Sequence, residues 1–347
     1  MKAAVLHDYD PSLKRDTWVR YEDVAEPKIE KPNEVIVRIG GAGVCRTDLH
    51  IVEGLWRERV NVKLPYIMGH ENAGWVEEVG KGVESVKKGD PVICHPLITR
   101  GLSLEARRGN DMHDPDSMFP GINCNGGYAE LLKTVERALI KLPTTLAPKD
   151  VAPHADAGIT AYHAARKAAA NLRPGDYCAV IGVGGLGHIG IQVLAALCAA
   201  EIIAIDRSEL ALGLARECGA HHVVKADGNE VEAVKAITKG LGAHAVIDFV
   251  GEAGTPAKGW EMTRNAGTYY VVGYGGKIEI PTMDFIVSEK SIVGNLVGNY
   301  SDLVELMELA HRGRVKLATQ PYKLSDANTA LHDLHHGRVK GRAVLIP

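Results

Sequence analysis

The sequence predicts an α/β chain of two domains. One is a doubly wound parallel sheet over residues 156–298; the other is a mostly β, partly open barrel built from residues 1–155 and 299–347. Three observations predict this. From about residue 155 to 298 apolar strands alternate with helical segments, the pattern of a parallel sheet covered on both faces. In the first 150 residues, short apolar runs separated by Gly-Lys and Gly-Asp turns read as many short strands of a barrel. A chain of 347 residues is also long enough for two cores.

In the first stretch, Val35–Ile39, Gly74–Gly80 and Pro91–Cys94 are expected strands. In the second, Tyr177–Ile181 is a strand and Leu186–Ala199 a helix, followed by strand Ile202–Asp206 and helix Glu209–Cys218. Ala245–Val250, Tyr269–Gly273 and Ser291–Gly294 continue the strand series. The tail from about 299 holds two helical segments and a last strand, Arg342–Ile346. It is too short to stand alone and is expected to pack on the first domain.

Hydrophobic residues make up 46% of the chain and charged residues 24%, an ordinary globular balance. The formal net charge of −3 gives no electrostatic case for nucleic acid or an anionic membrane as partner. No run reaches the ~20 apolar residues of a membrane helix, and the segment after Met1 soon meets Asp8, Asp10 and Lys14, unlike a signal peptide. A cytoplasmic location is the default expectation. The six cysteines are dispersed, with no CxxC pair, so most are expected to be small buried hydrophobes rather than disulfides.

Gly182-Val183-Gly184-Gly185-Leu186-Gly187 follows an apolar strand directly and opens a helix. In that context the glycines permit a tight turn, close approach to a pyrophosphate, and close helix–strand packing. The helix N-terminus offers N–H groups and a positive dipole end to the phosphates. Asp206 ends the second strand, 24 positions after Gly182. A carboxylate there accepts from the adenosine ribose hydroxyls and repels a 2′-phosphate, so a Rossmann-type site for NAD rather than NADP is expected. Arg207 follows and softens that discrimination.

Cys45, His70 and Asp156 are candidate ligands for a catalytic zinc, which takes three protein donors and keeps one position open. They are far apart in sequence, so spacing alone leaves the site undecided. The pattern of the whole chain adds to this. Cys45-Arg46-Thr47-Asp48-Leu49-His50, the G-H-E-x-x-G-x-V-x-x-V-G run from Gly69 to Gly80, Lys88–Val92, Gly126–Glu130, the glycine loop and Gly341–Leu345 together resemble the zinc-dependent medium-chain alcohol dehydrogenases.

The resemblance implies that the first domain is GroES-like, that the cofactors are NAD and one catalytic Zn2+, and that Cys45, His70 and Asp156 are its ligands. A carboxylate takes the third place, where many relatives have Cys. It implies that Asp48 orients the ligating histidine, and that Glu71 either approaches the metal or serves a structural role. Thr47 would bond the substrate oxygen and pass its proton toward His50. Arg46 and Arg342 would reach the pyrophosphate and Thr160 the nicotinamide, while Phe249, Val250, Leu296 and Val297 line the cofactor cleft. Trp56 is either a substrate-pocket wall or a core or interface residue. Where relatives bind a structural zinc with four cysteines, between Cys94 and Gly127, this chain lacks them, so that second zinc is expected to be absent. Relatives often have a basic residue at the position of Ala211, which implies looser NAD binding here.

The substrate implied is a small primary or secondary alcohol, or its aldehyde or ketone, in a homotetramer or homodimer. A polyol or amino-alcohol dehydrogenase of the same superfamily is an alternative, to be decided by residues 54–63 and 100–119. A zinc-free reductase would lack the three ligands. A non-enzymatic NAD-binding protein would not need Thr47 and His50 beside them.

Overall fold

The structure is a computed structural model and describes residues 1–60 and 62–347; Asn61, within the 54–63 stretch expected to bear on substrate choice, lies outside the described residues. The chain divides into two units. One comprises Met1–Ala157, Asn299–His311 and Leu317–Pro347, the other Gly158–Gly298 and Arg312–Lys316.

The second unit is a six-stranded, all-parallel sheet. Its strands in chain order are Tyr177–Ile181, Glu201–Asp206, His222–Lys225, Ala243–Asp248, Thr263–Val271 and Ser291–Gly294. In space they run third, second, first, fourth, fifth, sixth, which is the doubly wound Rossmann order. The strand order reverses between Tyr177–Ile181 and Ala243–Asp248. The buried middles of these two strands, residues 178–181 and 245–247, are wholly apolar, as strands covered on both faces must be. Helices Gly187–Leu197 and Glu209–Glu217 follow the first two strands. His222–Lys225 was not anticipated, because four residues with two basic ends give no apolar run.

Among its described residues, the first unit holds a seven-stranded sheet and a three-stranded one. The longest strand, Glu34–Val44, pairs antiparallel with Glu71–Val79, Leu131–Val135 and Arg342–Ile346. The tail therefore completes the sheet begun by the N-terminal half. Thr319–Lys323 adds a parallel edge strand beside Arg342–Ile346; its Thr-Gln-Pro-Tyr-Lys sequence hid it, and the edge place tolerates Pro321. Its core is formed by residues such as Leu6, Leu49, Met68, Ile93 and Tyr128, and Trp56 packs partly buried against it. Among the described residues no helix is long and apolar enough to cross a membrane.

Candidate metal centre and dinucleotide site

Strand register gathers the candidate ligands. Near its end, Glu34–Val44 has Gly43 opposite Glu71 and Val44 opposite Ala343. Cys45 thus emerges between the first residues of two neighbouring strands, Glu71 and Arg342, with His70 one residue before Glu71. Asp156 arrives from the turn after the short 3-10 helix Ala152–Ala155. Cys45, His70, Glu71 and Asp156 offer ligand atoms that all lie within 4.8 Å of one another, the one such group among the described residues.

Cys45 Sγ is 4.0 Å and His70 Nε2 is 3.4 Å from Asp156 Oδ2. Donors on a tetrahedral zinc with bonds of about 2.0–2.3 Å stand roughly 3.3–3.7 Å apart, so the spacing is close to what the ion requires. The His70 ring is 1% exposed, and neither of its nitrogens has a hydrogen-bond partner. An orphaned buried nitrogen is costly in a folded protein; at Nε2 a metal ion removes the cost. His70 Nδ1 faces Asp48 Oδ1 at 3.4 Å. Burial works against charge on this ring, yet the carboxylates of Asp48 and Asp156 outweigh it and raise its pKa well above the ordinary value. The site is built to favour positive charge, and the donor set of thiolate, imidazole and carboxylate suits zinc.

Glu71 does not stand alone at the cluster's edge. Its two oxygens accept from Arg342 Nε, at 2.9 Å, and from an Arg342 terminal nitrogen, while Oε1 also accepts from the Ala157 N–H at 2.9 Å. Both side chains are buried. Burial raises the Glu71 carboxyl above its usual range even against the pull of Arg342. Arg342, for its part, is disfavoured by burial but held well above its usual pKa by Cys45, Glu71 and Asp156. Arg342, expected to reach the pyrophosphate, has its guanidinium on Glu71, which gives a buried charge its partner.

Helix Arg46–Val52 starts immediately after Cys45. Asp48 accepts the Cys45 backbone N–H at 2.8 Å, closing the first turn, and is wholly buried. Thr47 and His50 are three residues apart and so share a helix face. His50 is 7% exposed, and Arg46 is exposed. The sequence reading missed Tyr128, whose hydroxyl donates to Asp48 Oδ2 at 2.8 Å; the Gly126–Glu130 motif was its only signal.

In the second unit, the glycine loop joins strand Tyr177–Ile181 to helix Gly187–Leu197 at the point where the strand order reverses. A Cβ at Gly187 would lie 1.9 Å from the Gly182 carbonyl oxygen, so only glycine permits this strand–helix approach. Asp206 ends the neighbouring strand; its oxygens accept the N–H groups of Val183 at 2.7 Å and Ser208 at 2.9 Å. Arg207 is exposed, and Thr160 lies half-buried in helix Ala157–Ala169. Phe249 and Val250 follow strand Ala243–Asp248, with the Phe249 ring against Gly190 and Val250 against Gly182. Leu296 is 51% exposed, whereas Val297 is buried.

The lobe between Cys94 and Gly127 is tied together without a thiolate cluster. Asp111 is buried and accepts from Thr99 Oγ1 at 3.0 Å and Arg137 at 2.9 Å, and Arg137 also donates to the Ala106 carbonyl. Burial pushes the Cys94 thiol up to about 12 and the Cys124 thiol to about 11.

Comparison with known proteins places both units. Residues 31–144 match the family described as alcohol dehydrogenase GroES-like domain, and residues 185–312 the family described as zinc-binding dehydrogenase. An NAD-dependent alcohol dehydrogenase of Sulfolobus acidocaldarius is 37% identical over 99% of this chain and 99% of its own length. A D-arabinose 1-dehydrogenase (NADP(+)) of Saccharolobus solfataricus is 35% identical over 100% of this chain and 97% of its own length. The crystal structure of the alcohol dehydrogenase from Aeropyrum pernix superimposes with a TM-score of 0.96, at 48% identity and covering 100% of both chains.

Proposed function

The chain belongs to the zinc-dependent medium-chain alcohol dehydrogenase family, and we propose that it oxidises uncharged primary and secondary alcohols with NAD and reduces the corresponding aldehydes and ketones. The observation that carries this is the Cys45–His70–Asp156 donor set, with Cys45 and His70 buried and His70 Nε2 unpartnered. Those three residues would hold the zinc. When bound, the ion serves as a Lewis acid that lowers the pKa of an alcohol hydroxyl, and NAD is the hydride acceptor.

The protein's own groups do the rest. Thr47 takes the substrate hydroxyl's hydrogen bond, and His50, one helix turn on, relays the proton outward. Asp48 sets the His70 ring, and Glu71 holds its place through Arg342. In the second unit the glycine loop Gly182–Gly187 takes the pyrophosphate. Asp206 takes the adenosine ribose, while Thr160, Phe249, Val250, Leu296 and Val297 surround the nicotinamide half. A polyol or sugar substrate is the second reading, favoured by the identity with the D-arabinose dehydrogenase.

A homodimer or homotetramer is part of the proposal. What supports it is strand Ser291–Gly294, an unpaired sheet edge beside helix Thr282–Ser288, which buries none of its residues and leaves Met283, Ile286 and Val287 each 68% exposed. The test of function is a panel of primary, secondary and polyhydric alcohols with NAD and NADP. Turnover of simple alcohols with NAD is expected; turnover of none, or of polyols alone, contradicts the proposal.

A further inference from the structure

We propose that Tyr128 is a positioning residue of the metal centre, acting through Asp48 on the His70 ring; the proposal rests on the zinc reading above. Tyr128 is 0% exposed, and its hydroxyl donates to Asp48 Oδ2 at 2.8 Å. The same oxygen accepts the Cys45 backbone N–H at 2.8 Å, so it is spoken for twice. The other oxygen, Oδ1, makes no hydrogen bond and faces His70 Nδ1 at 3.4 Å. Two donors on one side of the carboxylate thus aim its free oxygen at the imidazole. A carboxylate on Nδ1 keeps the proton there and leaves Nε2 as the bare donor toward the metal.

The chain is built around this tyrosine. Gly69, immediately before His70, has a φ of +96°, and a Cβ there would lie 2.2 Å from the Tyr128 ring. The Tyr128 backbone N–H donates to the Met68 carbonyl at 2.9 Å and the Gly127 N–H to the Gly69 carbonyl at 2.8 Å, so the segments carrying the ring and the imidazole are laced together. The hydroxyl also lies 3.3 Å from the Gly43 carbonyl, two residues before Cys45. Burial foremost, and then Asp48, push the phenol far above its usual pKa, so it remains a donor.

Tyr128→Phe keeps the ring and deletes the donor. Zinc affinity, read by competition with a chromogenic chelator on the full-length protein, is expected to fall about tenfold, the lower end of what losing such outer partners costs. Asp48→Asn gives the second arm. Tyr128 and the Cys45 N–H hold the amide oxygen on their side, which turns the NH2 onto His70 Nδ1 and drives the ring to the Nε2–H tautomer, unable to ligate. Zinc binding should then fall further, and in the Asn background Tyr128→Phe should cost nothing or restore some affinity.

An equal loss on Tyr128→Phe in both backgrounds, or no loss in either, would overturn the proposal. Should Tyr128→Phe not fold, imidazole 15N shifts of metal-free Asp48→Asn decide: Nε2–H is expected, and Nδ1–H would overturn it. A native protein that binds no zinc at all would instead remove the metal reading itself.

Discussion

Asp206 has a backbone N–H on each oxygen, from Val183 at 2.7 Å and Ser208 at 2.9 Å, so the carboxylate is fixed before any ribose arrives. The bond to Val183 also ties it to the glycine loop. Asp206→Asn removes the charge and keeps the shape. The ratio of kcat/KM for NAD over NADP should fall roughly tenfold or more, as hydrogen bonds to a charged group contribute about 1.5–3 kcal/mol; an unchanged ratio contradicts the role. The placement of Asp206 and of the glycine loop was legible because it is local, a few residues on either side of two strand ends. Cys45, His70 and Asp156 were legible only through resemblance, and the fold does bring them within ligand reach. The partners of these residues were not legible. Glu71 and Arg342 are 271 residues apart and meet through strand register, which no local pattern encodes.

Among the elements, strands Pro91–Cys94, Tyr177–Ile181, Ser291–Gly294 and Arg342–Ile346 fall where their apolar runs put them. Glu34–Val44 extends five residues beyond its expected end, through Gly40-Gly41-Ala42-Gly43, because sheet pairing on both sides overrides the glycines' weak propensity. Loops hide more. Between strands Lys2–Leu6 and Val19–Asp23, Asp10 is buried and accepts from the Arg15 N–H at 2.8 Å, Ser12 Oγ at 3.0 Å and Trp18 Nε1 at 3.1 Å. Foremost the Arg15 N–H holds its pKa down to about 2. A depressed folded-state pKa contributes stability that is present above the unfolded value near 4 and is lost as pH falls through about 2. Asp10→Asn should therefore melt roughly 2–4 °C lower than the native protein at pH 6. That gap should narrow steadily from pH 5 toward pH 3; a gap constant with pH contradicts this role of Asp10.

At the scale of the whole molecule, the first unit is assembled from three stretches of chain, and its central sheet needs the last strand to be complete. That strand carries Arg342, so the C-terminal residues belong to the metal site as much as to the fold. The apolar helix Thr282–Ser288 and its edge strand belong to the second unit. Light scattering should report a dimer or tetramer, which Ile286→Glu with Val287→Glu weakens; a native monomer contradicts that part. In the proposed function one zinc on Cys45, His70 and Asp156 enables alcohol oxidation by NAD. It is tested most directly by stripping the metal, verifying its removal by elemental analysis, and titrating zinc back while following NADH formation from a simple alcohol. Activity is expected to disappear with the metal and to return in proportion to added zinc, saturating at one ion per chain. Full activity in the verified zinc-free protein would contradict it.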